Sequence, residues 1–306
     1  MSWVYKAAGV SRQAHHQHNQ RQAAFDARLY ALCAEADLLR KTHPGCGVEK
    51  MYTILQPDFM GRDRFIEVMM DYGYRLRKMR NYSRTTYPGK LYYPNLIKGM
   101  LLWDKNQLWQ SDITYYQIGD VFYYLVFIID VYTKRILGFS ASDHLRASAN
   151  LKALKMAIHE AGTLLYYLIH HSDRGSQYGE MAYVKYLTDH NIAISMCLNP
   201  QENAYAERVN GIIKNEYLKY WDIPNLSILL QKCREAVEHY NTKRPHLHLP
   251  GKKTPLDFEK SLVSLNMNNR HFEIIYSDEN PLTKRPKPGT FYIPSHMPDG
   301  PVCSIF

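Results

Sequence analysis

Residues 108–130 restrict the fold more than any other stretch of this 306-residue chain. From Leu108 the hydrophobic period is two, with Trp109, Ser111, Ile113 and Tyr115 on one face and Gln110, Asp112, Thr114 and Tyr116 on the other. That alternation is the pleat of a β-strand. Gly119-Asp120 supplies a two-residue turn, and residues 121–130 form a nearly continuous apolar strand. Such a strand must be covered on both faces. Thr133-Lys134 begins another reversal into a strand at residues 135–141, which completes an antiparallel meander.

The segments after the meander have to supply the cover. Residues 148–161 read as an amphipathic helix with Leu151, Leu154, Ala157 and Ile158 inward. Residues 165–170 read as a buried strand, 180–190 as a helix, 192–196 as a short strand and 203–220 as one long helix. The order β-β-β-α-β-α-β-α describes a mixed α/β sheet with helices on its faces. The longest apolar run stops at Asp130, far short of the ~20 residues a membrane span needs.

Three carboxylates occupy special places in this frame. Asp112 lies on the polar face of the first strand, Asp173 just past the fourth, and Glu207 in the first turns of the last helix. If the first and fourth strands are neighbours, the two aspartates come together and the helix brings Glu207 over them. Hard oxygen ligands without thiolates or paired imidazoles suit Mg²⁺. Two such ions about 4 Å apart stabilise the attacking and leaving oxygens of a phosphodiester displacement.

The charge points to a polyanion. Lys+Arg number 38 against 29 Asp+Glu, a formal +9, and residues 1–95 hold 15 basic against 8 acidic side chains. No acidic residue lies between Tyr72 and Trp103, where Arg75, Arg77, Lys78, Arg80, Arg84, Lys90 and Lys98 interleave with tyrosines. Cations neutralise phosphates and aromatic faces stack on bases. Upstream, residues 24–41, 48–55 and 62–72 read as helices separated by His43-Pro44-Gly45 and Gln56-Pro57, which fits a small helix-turn-helix-like module. His15, His16 and His18 sit in a Gln- and Asn-rich setting and read as solvated. The five cysteines form no CxxC pair, which argues against a disulfide framework or a cysteine zinc site.

The carboxylates sit inside motifs that resemble a known family. Trp109-Gln110-Ser111-Asp112-Ile113-Thr114-Tyr115 is similar to the W-x-[ST]-D-I-T-Y box of OrfB-type insertion-sequence transposases, in the DDE transposase and retroviral-integrase superfamily. His170-His171-Ser172-Asp173-Arg174-Gly175-Ser176-Gln177-Tyr178 resembles their H-H-S-D-R-G-S-Q-Y box, and Asn203-Ala204-Tyr205-Ala206-Glu207 their N-A-x-x-E helix. Tyr240-Asn241-Thr242-Lys243-Arg244-Pro245-His246 with Thr254-Pro255 resembles their Y-N-x-x-R-P-H…T-P ending, and His43-Pro44-Gly45-Cys46-Gly47 their H-P-x-x-G.

The resemblance implies a ribonuclease-H-like mixed five-stranded sheet flanked by helices, preceded by the helix-turn-helix-like domain. It implies that Asp112, Asp173 and Glu207 are the catalytic triad and hold two Mg²⁺ ions, for which Mn²⁺ is expected to substitute. It further implies cleavage of element ends and joining of the 3′-OH to DNA, homo-oligomers on DNA, an upstream reading-frame product as partner, and a cytoplasmic, nucleoid-associated protein. Arg75, Arg77, Lys78, Arg80, Arg84, Asn203, Lys214 and Arg244 are the expected DNA contacts.

The expected division is a helical region at 1–74, a basic Tyr-rich linker at 75–103, a catalytic core at 104–222, a C-terminal helix and Y-N-x-x-R-P-H region at 223–260, and a tail at 261–306 without an assigned role. One departure concerns the stretch between Asp173 and Glu207, two residues shorter than is usual in the family, with the loss falling at residues 197–201. Glu202 and Glu216 are therefore rival third ligands, Glu202 better suited to a helix N-terminus. The rival functions are a catalytically impaired relative that only binds DNA and a ribonuclease-H-like nuclease of another class.

Overall fold

The computed structural model describes residues 9, 11–76, 93–162, 165, 167–197, 199–266 and 269–276. Its centre is a five-stranded sheet built from β2 (Leu108–Ile118), β3 (Val121–Asp130), β4 (Ile136–Ser142), β5 (Ile169–Ser172) and β6 (Ala193–Met196). The spatial order is β4-β3-β2-β5-β6. β2 pairs antiparallel with β3 and parallel with β5, and β5 pairs parallel with β6. This is the expected ribonuclease-H-like arrangement, and the first and fourth strands of the core are neighbours.

Helices cover both faces. On one, α4 (Ala147–Ala161) and α5 (Met181–Asp189) bury Leu154, Ala157, Tyr183 and Leu187 against Trp109, Ile113, Val126 and Ile128. On the other, α6 (Ala204–Ile212) and α7 (Leu226–Thr242) bury Ala206, Val209, Leu229, Cys233 and Tyr240 against Leu125, Phe127 and Ile129. β3 alternates between these two cores, which is why its sequence is apolar at nearly every position. A separate core holds α1 (Arg12–Thr42), α2 (Val48–Leu55) and α3 (Arg62–Asp71) together through Leu29, Leu32, Ala36, Met51, Phe65 and Met69.

Three elements differ from the expectation. α1 starts at Arg12, well ahead of residue 24, because Ser11 accepts the Ala14 N–H at 3.0 Å and no Gly or Pro interrupts the polar stretch after it. His15, His16 and His18 lie on its exposed surface. β5 begins at Ile169 instead of residue 165, because Tyr167 adopts a left-handed backbone (φ 66°) that breaks the extended run. The shift places Asp173 directly after the strand. The long helix at 203–220 is broken: α6 passes into a π-helical turn at Ile213–Tyr217 and then a short 3₁₀ turn at Leu218–Tyr220.

The described part of the tail belongs to the core. β7 (Glu273–Ile274) pairs antiparallel with β1 (Leu101–Leu102). Glu273 accepts from the buried Lys134 Nζ at 2.8 Å and from the Tyr205 hydroxyl at 2.6 Å. The Tyr276 hydroxyl accepts the Ala204 N–H, at the start of α6, and a Gln110 Nε2 proton, both at 3.2 Å. The segment is a strap over the N-terminus of α6, satisfying a donor that the helix itself leaves open.

This packing has two measurable consequences. Tyr276→Phe should lower stability by about 1 kcal/mol in urea unfolding, and a chain ending at Leu262 by more, since a lost hydrogen bond costs about that much. An unchanged midpoint in both would show that the strap does not support the fold. The second consequence concerns acid. Burial pushes His170 down to about 3, His239 to about 4 and His246 to about 3, so all three are neutral in the folded chain. The unfolded chain takes up their protons near pH ~6.5, so the histidines' contribution to stability is flat above that value and is lost as pH drops below it. Calorimetric Tm should decline steadily from about pH 6.5 to pH 4.5, and His170→Gln should make that slope shallower.

Candidate active site

The polar face of β2 meets α6 and its continuation residue by residue. Gln110 Oε1 accepts the Tyr205 and Ala206 N–H groups at 3.2 and 3.4 Å, while its Nε2 donates to the Glu202 carbonyl at 3.1 Å. Asp112 Oδ2 accepts from Asn210 Nδ2 at 2.7 Å. Thr114 Oγ1 accepts from Lys214 Nζ at 2.9 Å, and the Tyr116 hydroxyl donates to the Leu218 carbonyl at 2.9 Å. Two strand residues advance about 6.6 Å and four helical residues about 6 Å, so the contacts stay in step along both elements.

This register sets the three carboxylates. Asp112 stands opposite Phe127 on the face covered by α6, and the last rung of the parallel β2–β5 ladder is Ser111 with Ser172, one residue before each aspartate. Asp173 Oδ1 accepts the Gly175 N–H at 3.1 Å, which turns the chain sharply after β5. Glu207 lies in the first turn of α6 and is exposed.

The electrostatics show the three acting on one another. Burial and then the charges of Asp173 and Glu207 push Asp112 up to about 8, against the opposing hydrogen bond from Asn210. Burial and then Asp173 raise Glu207. Among the described residues neither Asp112 nor Glu207 has an ion pair with lysine or arginine. Carboxylate oxygens are the donor chemistry that a hard divalent ion suits. Among the described residues no three His, Cys, Asp or Glu side chains are gathered closely enough to form a metal-holding group as they stand.

The rival ligands are engaged elsewhere. Glu202 Oε2 accepts the Asn199 N–H at 3.1 Å in a capping box that closes the short loop ahead of α6. Glu216 sits in the π-helical turn, and its carboxylate accepts from His43 Nε2 at 2.8 Å, from Lys50 Nζ, and from Arg244 Nε and Nη2 at 2.8 and 3.0 Å.

Two expected DNA contacts, Asn203 and Arg244, are buried, and Lys214 is half-buried. Asn203 is 1% exposed and donates to the Ser111 carbonyl at 3.0 Å, so it fastens the helix to β2 instead of meeting solvent. Arg244 is 6% exposed and committed to Glu216. Lys214 is half-buried, bound to Thr114 Oγ1 and the Tyr115 carbonyl, and lies over the Tyr115 ring. Burial lowers its pKa, and the nearby Lys219 lowers it further. Arg75 is exposed, whereas Arg77, Lys78, Arg80 and Arg84 lie outside the described residues.

Sequence reasoning missed Gln110 and Tyr276 as supports of α6. Gln110 was legible as a polar residue two positions before Asp112 on the same face. Tyr276 carried no signal, because its partners are 72 and 166 residues away. Asp130 has a structural role, accepting from the Thr133 N–H and hydroxyl and from the Asn106 N–H, each at 2.7 Å.

The chain is similar in sequence to known proteins. An integrase core domain family matches residues 104–199, and a second integrase core domain family matches residues 190–255. The chain is 31% identical over 232 residues to the uncharacterized 31 kDa protein of insertion element IS600 from Shigella sonnei, covering 72% of this chain and 83% of that protein. It is 36% identical over 120 residues to a putative transposase for insertion sequence element IS986/IS6110 from Mycobacterium tuberculosis strain H37Ra, covering 37% of this chain and 43% of that one. The chain thus spans less than half of that mycobacterial relative. The HTLV-2 integrase catalytic core domain, solved in complex with magnesium in a trimeric form, is 22% identical with a TM-score of 0.41, covering 54% of this chain and 99% of that one. Given the extent of the match to the IS600 protein and the two integrase core domain matches, the chain belongs to the insertion-sequence transposases of the DDE and integrase superfamily.

Proposed function

We propose that this protein cuts DNA at the ends of an insertion sequence and joins the resulting 3′-OH to a second DNA site, with Asp112, Asp173 and Glu207 as its catalytic residues. The observation that carries the reading is geometric: Asp112 and Asp173 each follow the last paired rung of neighbouring strands, Ser111 with Ser172, and Glu207 stands in the first turn of the helix laid across β2. In this reading they hold two Mg²⁺ ions, which supply the charge that steadies the attacking and leaving oxygens of a phosphodiester.

The chain's own residues set the stage for that chemistry. Asp112 is fixed by the central strand of the sheet and by the Asn210 amide, and Asp173 by the turn through Gly175. Rigid elements of this kind limit the displacement that metal geometry tolerates. Glu207 depends on the placement of α6, which Gln110, Asn203 and Tyr276 secure at its N-terminus. The shortened stretch ends in a capped 3₁₀ turn at Pro200–Asn203 that runs straight into the helix. The basic front, with Arg75 exposed and Arg77, Lys78, Arg80 and Arg84 next in sequence, is proposed to grip DNA through its phosphates. Assembly of several copies on DNA belongs to the same reading.

Asp112→Asn and Glu207→Gln should each reduce Mg²⁺-dependent nicking of DNA carrying the ends that flank this gene by about 10³-fold or more. Both should weaken Mg²⁺ binding in calorimetry while leaving the circular dichroism spectrum unchanged. Undiminished nicking in either variant would sink the assignment.

A further inference from the structure

Glu216 is a buried carboxylate that the proposed chemistry does not use, and it gathers parts of the chain that are far apart in sequence. Its side chain accepts from His43 and Lys50 in the N-terminal helical unit and from Arg244 beyond α7. Its backbone carbonyl accepts the Gly45 N–H at 2.6 Å. A Cβ at Gly45 would run into the Glu216 backbone, so glycine alone allows this approach. The His43 ring stacks on Tyr217 with centroids 4.8 Å apart and planes 4° from parallel, and the Tyr217 hydroxyl meets His239 Nδ1 at 3.0 Å.

Burial alone would push the Glu216 carboxyl up. Hydrogen bonds from His43 and Arg244, with the charges of Arg244 and Lys50, hold it well below the usual carboxylate range. Burial shifts His43 down, against the opposing hydrogen bond and charge of Glu216. A buried charge with this many donors has a single well-satisfied position, and removing the charge leaves its partners unpaired.

We infer that Glu216 is a positioning residue that makes docking of the N-terminal helical unit and placement of the helix carrying Glu207 one event. The connection is physical and short. Glu216 lies in the π-helical turn that continues α6, and Lys214 in the same turn bonds Thr114. One turn earlier Asn210 bonds Asp112. A shift of the joint at Glu216 moves the end of this ladder, while the Gln110 end stays fixed. An additional residue in a helical turn is a common device for such a joint. Release of His43, Gly45 and Lys50 would therefore loosen the side of α6 that steadies Asp112 and aims Glu207. DNA gripped by the N-terminal unit would then be felt at the carboxylates.

The inference rests on Glu207 as a catalytic residue, but its first test does not. Hydrogen exchange on full-length Glu216→Gln should show amides at residues 43–51 and 209–217 exchanging about tenfold faster or more, with β3 and residues 29–36 unchanged. Lys50→Met, which removes one partner at the rim of the joint, should give a smaller change in the same two segments. Faster exchange confined to residues 43–51 would overturn the inference, because the joint would not reach α6. Acceleration throughout the chain in both variants would also overturn it, since Glu216 would then only support global folding. In the nicking assay, Glu216→Gln should lower kcat by about tenfold with KM for DNA changed by less than about threefold. A loss confined to KM would assign Glu216 to DNA binding and overturn the positioning role. Failure of the triad reading would appear separately, as unchanged nicking in Asp112→Asn, and would leave the exchange result standing.

Discussion

The ladder between the polar face of β2 and the helix across it holds the candidate site together. Gln110, Asp112, Thr114 and Tyr116 each bond to that helix or its continuation, at steps of two along the strand and about four along the helix. An apolar interface of similar area would bury as much surface but would allow the helix to slide. Directional bonds do not, since a register slip would leave several half-buried polar groups unpaired at once. The same face that carries Asp112 therefore fixes where Glu207 can stand.

The ladder is held at both ends by parts of the chain from outside the sheet. At its N-terminal end the Tyr276 hydroxyl and the Asn203 amide fasten the first turn of α6. At its far end the Glu216 joint brings in His43, Gly45, Lys50 and Arg244. The boxes H-P-G-C-G and Y-N-x-x-R-P-H meet there although they lie roughly two hundred residues apart in the chain. Their shared partner explains a basic residue that looks DNA-directed in the sequence: Arg244 bonds a carboxylate of its own chain through Nε and Nη2.

Much of the core was legible because its signals are local. The period of two from Leu108, the Gly119-Asp120 turn and the apolar run of β3 reappear as the central hairpin. Residues 48–55 form α2 with the expected bounds. The failures have equally local causes. The left-handed Tyr167 cut short an apolar run that reads as strand, and the side-chain cap at Ser11 carried a helix through polar residues without apolar periodicity. The break after Ile212, just past Gly211, coincides with the docking of residues 43–45 against Glu216.

The sequence by itself determined the order of strands and helices, the carboxylates Asp112, Asp173 and Glu207, and the family motifs around them, since each depends on neighbours within a few positions. Only the tertiary structure decided that Asn203 and Arg244 are buried supports, that Glu202 closes a turn, and that residues 271–276 strap the helix bearing Glu207. Those outcomes depend on partners tens to hundreds of residues away. A polar or charged side chain reads the same in sequence whether solvent, DNA or another part of the chain satisfies it.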